Sequence, residues 1–142
     1  MHVRRSFVVN RPIEQTFDYF ADFENTNEWD PGTVETRRTS GDGGLGTTYT
    51  NTSQFMGRTT SLTYETIGYD RPTQFVCRGR NKTATATDHL TFTRDGERTR
   101  MDYRADFDFR FPINLLAPLL FGRKLQSLAD ETVEQIQDVL NR

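Results

Sequence analysis

A single cysteine, Cys77, in 142 residues excludes an internal disulfide and any zinc site built on a cysteine cluster. Histidine is nearly as scarce. His2 and His89 are too few for a histidine-based metal site, and no metal or organic cofactor is expected. Charge of one sign is also lacking: 18 basic and 20 acidic residues leave a net −2. A nucleic-acid binder normally carries a basic excess, so nucleic acid is not an expected partner. There is no apolar run long enough to span a bilayer and no secretory h-region, so stable membrane insertion is not expected and the expected location is cytoplasmic. Apolar residues reach only 34%, with a mean hydropathy of −0.74. What is present instead is aromatic: 11 Phe, 5 Tyr and one Trp. A core built from rings follows. The length fits one domain, 1–142, which would bury roughly two-thirds of its unfolded surface.

The segment Val3–Asn10 reads as a strand. Pro12 stands where a helix begins, and Ile13, Phe17 and Phe20 share one face of it up to about Asp22. Phe23–Trp29 reads as a second helical turn, closed by Asp30-Pro31-Gly32. From there to about Phe111 threonine is dense and turn residues recur at short intervals, which predicts six antiparallel strands. Met101, Tyr103, Ala105, Phe107, Phe109 and Phe111 alternate with Arg and Asp, placing the apolar set on the buried face. The strand over Leu62–Tyr69 is less regular. Leu62 and Tyr64 fall opposite Ile67 and Tyr69, and a bulge would reconcile them. Gly41-Asp42-Gly43-Gly44-Leu45-Gly46 matches G-x-G-x-x-G, but a strand rather than a helix follows, so it reads as a hairpin turn. After Pro112, the apolar run Ile113–Phe121 leads into a helical stripe of Phe121, Leu125, Leu128, Thr132, Ile136 and Val139.

Strand, two short helices, six antiparallel strands and one long helix together predict an α+β helix-grip fold. A curved sheet of about seven strands would wrap around the C-terminal helix. Specific segments carry a resemblance: Arg5–Phe20, Phe23–Pro31, Gly44-Leu45-Gly46-Thr47 and Asp70–Phe75. On these the chain resembles the SRPBCC superfamily (START and birch-pollen-allergen-like proteins), most closely its polyketide cyclase/dehydrase-like branch. The resemblance implies a cavity between sheet and helix that binds an apolar or aromatic, lipid- or polyketide-like molecule. It also implies a possible homodimer.

Several residues are candidates for that site. Asp88 alternates with Leu90 and Phe92 and so points inward, where a carboxylate must be paired or protonated. It is the candidate acid or base, or an anchor for a ligand hydroxyl. His89 points the other way, so the two are not a catalytic pair. Asn51 and Ser53 share a face with Leu45, Tyr49 and Phe55 and could bond a ligand. Tyr103, Phe107 and Phe109 face inward; Trp29 would lie near the cavity mouth. Within Ile113–Phe121, Leu116 and Leu120 are candidates for cavity lining, with a dimer contact or a membrane-touching entrance as the competing uses of the same run.

Three functions therefore compete. The first is a small-molecule binding or carrier protein. The second is an enzyme of the cyclase or dehydratase kind, with Asp88 as acid/base and Tyr103 and Asn51 placing carbonyls. The third is a protein-interaction module using Ile113–Phe121.

Overall fold

A computed structural model describes all 142 residues. The elements run β1 (His2–Val9), α1 (Ile13–Ala21), a 3-10 turn (Phe23–Asn25), α2 (Thr26–Trp29), β2 (Thr33–Ser40), β3 (Thr48–Phe55), β4 (Arg58–Asp70), β5 (Gln74–Arg80), β6 (Ala84–Asp95), β7 (Arg98–Phe109) and α3 (Ile113–Leu140). All seven strands form one antiparallel sheet in the order β1-β7-β6-β5-β4-β3-β2. Successive strands neighbour one another from β2 to β7, and β1 closes on β7. This is the α+β helix-grip arrangement expected from the element order.

Rings build the core. Phe17, Phe20, Phe23, Trp29, Tyr49, Phe75 and Phe92 are fully or almost fully buried. Phe23 alone lies within 6.4 Å of four other rings: Tyr64, Tyr49, Phe75 and Trp29. Edge-on and tilted pairs of this kind gain beyond simple area burial. The α1 and 3-10 segments thus plug one end of the sheet's concave face with aromatic side chains.

The irregular strand is β4, and a register shift between Thr66 and Gly68 leaves Ile67 as the extra residue. Tyr64 and Thr66 are buried before the bulge. After it Tyr69 pairs with Phe75 and packs edge-on against Phe17 at 5.1 Å. The glycine-rich turn is the loop between β2 and β3. At Gly41 (φ 93°) a Cβ would stand 2.6 Å from the Thr47 hydroxyl, so glycine is required there.

Helix α3 is continuous over 28 residues with Pro118 inside its first turns. It buries Ala117, Leu125, Ala129, Thr132, Ile136 and Leu140, chiefly along β1. The buried stripe is rotated slightly from the expected one, with Ala129 and Leu140 in place of Leu128 and Val139. Arg5 fixes β1 to the helix, donating to Asp130 Oδ1 at 2.8 Å and to Gln126 Oε1 at 2.9 Å. One inward assignment is corrected: β7 ends at Phe109, so Phe111 leaves the alternation and is 78% exposed.

Candidate functional site

Residues directly opposite in an antiparallel sheet share a face, so the register gives the concave surface row by row. One row reads Tyr49, Tyr64, Gly79, Ala86, Phe107; the next reads Thr66, Cys77, Asp88, Ala105, Val3. The middle of both rows is small. Gly79, Ala86 and Cys77 are small, as is Ala105, which packs against Leu125 and Ala129 of α3. The Tyr64 ring lies across Gly79, where a Cβ would come within 2.6 Å of the ring.

Asp88 is the charged member of these rows and is only 8% exposed. Tyr103 lies on the same face one diagonal away and donates its hydroxyl proton to Asp88 Oδ1 at 3.1 Å. Burial first, and then the nearby Asp30 and Asp106 charges, push the Asp88 carboxyl up to about 7 against the lowering effect of the Tyr103 bond. Burial likewise raises Tyr103 and Tyr64 well above the usual phenol value, with Asp88 and Asp30 adding to both. Both phenols therefore stay protonated. Asp30 closes the group from the end of α2. Its carboxylate accepts from Thr33 Oγ1 at 2.8 Å and from the Gly32 N–H at 3.1 Å, while burial raises its pKa.

The aromatic wall follows. Trp29 is buried and packs edge-on against Tyr103 at 6.1 Å. Its indole N–H has no partner within the protein. Tyr49 is fully buried, and its hydroxyl is likewise unpartnered. Phe107 and Phe109 are half-buried. Phe121 of α3 meets Phe109 at 5.2 Å and Phe55 at 5.6 Å, so three rings bridge the two strands across the helix.

The sequence-derived candidates divide at this point. Asp88, Tyr103, Trp29, Tyr49 and Phe107 fall together on the concave side. Asn51 is buried on the same face, but its amide N–H groups are taken by Thr36 Oγ1 at 2.8 Å and Thr33 Oγ1 at 3.1 Å. It ties β3 to β2, and its carbonyl oxygen is what remains for a ligand. Ser53 lies toward the strand end, 3.3 Å from the Thr60 hydroxyl. Leu45, expected to share that face, stands outside β3 in the preceding turn and is exposed. Leu116 and Leu120, expected to line the interior, are instead 55% and 52% exposed. Ala117 is buried and Phe121 meets Phe55 and Phe109, with Ile113 half-buried on the same helical face, while Leu115, Leu116, Leu119 and Leu120 stay exposed. His89 points outward as expected, its Nε2 3.2 Å from Asp106 Oδ2. Asp30 and Tyr64 join the site without a clear signal in the sequence. Asp30 looks like a turn residue before Pro31, and the β4 bulge hides the facing of Tyr64. Two polar depressions, of about 370 and 410 Å³, lie elsewhere, at Asp18–Asp42 and on the outer sheet face around His89.

Comparison with known proteins agrees with this architecture. Among solved structures, TTHA0849 from Thermus thermophilus superposes with a TM-score of 0.81 at 15% identity, over 97% of this chain and 95% of that one. The ZhuI aromatase/cyclase from Streptomyces sp. R1128 gives 0.72 at 16% identity, over 98% and 95%. A START superfamily protein from Mycobacterium smegmatis gives 0.72 at 15% identity, over 99% and 94%. At such identities the likeness is one of fold. No curated protein matches the sequence. The family profile described as "Polyketide cyclase / dehydrase and lipid transport" matches residues 1–140, and the chain thus belongs to that family within the SRPBCC/START-like superfamily.

Proposed function

We propose that this protein binds a small aromatic or otherwise hydrophobic molecule bearing one hydroxyl or carbonyl, between the sheet and the first half of α3. The observation that carries the reading is the Asp88–Tyr103 pair, a buried acid–phenol couple on a face otherwise lined by rings and small side chains. A buried carboxyl with a pKa near 7 can donate to a ligand oxygen when protonated and accept from a hydroxyl when ionised. The unpartnered Trp29 N–H supplies a second donor on the same side. Apolar pockets with a few convergent polar groups are the usual form of a small-molecule site. Calorimetric titration with 2-naphthol, against naphthalene as the hydrocarbon control, tests this. The naphthol is expected to bind more tightly, and Phe107→Asp to abolish binding of both. Undiminished binding to the variant would remove the site from this face.

A second reading is supported by the same carboxyl. An acid poised near neutrality is suited to proton transfer, and the ZhuI protein that shares the fold is called an aromatase/cyclase. In that reading Asp88 exchanges a proton with a polyketide-like substrate, and Tyr103 holds the carbonyl beside it. Asp88→Asn then retains binding but lowers turnover by about a hundredfold or more. An unchanged rate would leave the binding reading alone.

A further inference from the structure

Of the exposed basic residues that form no ion pair, six gather at one end of the molecule, with Arg38 and Arg100 lying elsewhere. Segments 54–60, 79–84 and 108–124 contain Arg58, Arg80, Lys82, Arg110, Arg123 and Lys124 against a single acid, Asp108. None of the six forms an ion pair, whereas eight of the other arginines do. These segments are the β3–β4 hairpin, the β5–β6 hairpin, and the exit of β7 with the first turns of α3. They are tied together. The Arg110 N–H donates to the Thr83 carbonyl at 2.9 Å, and Phe121 contacts both Phe55 and Phe109. The net charge of the whole chain is −2, so the rest of the surface is markedly acidic.

The same end projects apolar side chains. Met56, Phe111, Leu115, Leu116, Leu119 and Leu120 are each more than half exposed, and Leu119 is 84% exposed. Leu115, Leu119 and Arg123 follow one another at a spacing of four on α3; so do Leu116, Leu120 and Lys124. Each leucine pair is therefore followed by a cation on its own face. Gly122 lies near the Met1 side chain, and residues 113–121 precede it as the first turns of α3. Isolated exposed leucines are ordinary; a contiguous projecting set rimmed by unpaired cations is an interaction surface.

We propose that this end docks on the surface of an anionic lipid bilayer. The leucines, Phe111 and Met56 enter the boundary between headgroups and acyl chains, and the six cations meet the lipid phosphates. Charge complementarity selects this partner over a second copy of the chain, because a two-fold contact through the patch would set like charges against like. No helix is long and apolar enough to cross a membrane, so the contact is peripheral. The proposal does not depend on what the interior binds.

Co-sedimentation of the full chain with sucrose-loaded vesicles tests it, without added ligand. Phosphatidylcholine vesicles containing phosphatidylglycerol are expected to bind at least about tenfold better than phosphatidylcholine alone, with the difference lost at high salt. Leu119→Ser is expected to lose binding with its circular dichroism melt unchanged. The paired change Arg123→Glu with Lys124→Glu touches no packed side chain and is expected to weaken binding about tenfold or more. Arg94→Glu with Arg98→Glu, at the opposite end, is expected to bind as the unmodified protein does. Absence of vesicle binding would overturn the proposal, as would equal losses at both ends. A dimer dissociated by Leu119→Ser without vesicle binding would assign the patch to a second copy and overturn it too. Binding to poly-glutamate but not to vesicles would assign it instead to an acidic protein.

Discussion

Asp88 stands between Cys77 and Ala105 across the sheet, with no cation against its carboxyl and one phenol bonded to it. Its ionised form therefore has little to compensate for lost hydration, and its pKa rises to about 7. The consequence for stability has a definite sign. An unfolded aspartate ionises near pH 3.8, while the folded one holds its proton to about 7. The folded state binds more protons across that window, so stability is highest below it and falls as pH rises through it. Asp88→Asn has no such titration. Urea unfolding of both proteins at pH 4.5 and pH 8 is expected to show the unmodified chain losing a few kcal/mol relative to the variant, with about 4 kcal/mol as the ceiling for a shift of this size. Parallel pH dependence in the two proteins would show that Asp88 ionises in the fold at the same pH as in the unfolded chain. This residue was legible in the sequence because a strict two-residue alternation fixes its direction. Its partners were less so. Tyr103 shares the alternation, but that its hydroxyl reaches Asp88 depends on a diagonal across two strands, which only the register reveals.

At the scale of elements, α3 shows two regimes within one helix. From Leu125 to Leu140 it is gripped: Leu125, Ala129, Thr132, Ile136 and Leu140 form its inner stripe against β1 and α2. Before that it is only partly covered, held by Ala117 and Phe121. Ile136→Ala is expected to cost about 2–5 kcal/mol in a urea melt, as for other fully buried aliphatic truncations. Leu119→Ala is expected to change stability by less than about 0.5 kcal/mol. Similar costs for the two would mean that the first turns of α3 are packed. The hydropathy of Ile113–Phe121 announces a strongly apolar stretch but not which way it faces. Facing depends on how the helix is set against the sheet, and that is a tertiary property. The β4 bulge is a similar case: conflicting alternation signalled it, and the Thr66–Gly68 register shift located it. The strand count and the long helix were readable because turn residues and helical spacing are local.

At the scale of the whole molecule, the sheet and its helices enclose a ring-built interior at one end and present an unpaired cationic, leucine-rich surface at the other. The low aliphatic content thus reflects how the space is used: rings close the α1 end, the Tyr64 ring lies over Gly79, and Ala105 packs beneath α3. We propose that a small molecule with a polar group sits on the concave face against Asp88. The most direct measurement is the carboxyl carbon resonance of Asp88, followed by NMR against pH in protein labelled at aspartate, with and without 2-naphthol. The free protein is expected to titrate at Asp88 near pH 7, and the naphthol to displace both the resonance and its midpoint. A carboxyl that titrates in the ordinary range below about 5 and does not respond to the ligand would contradict the account.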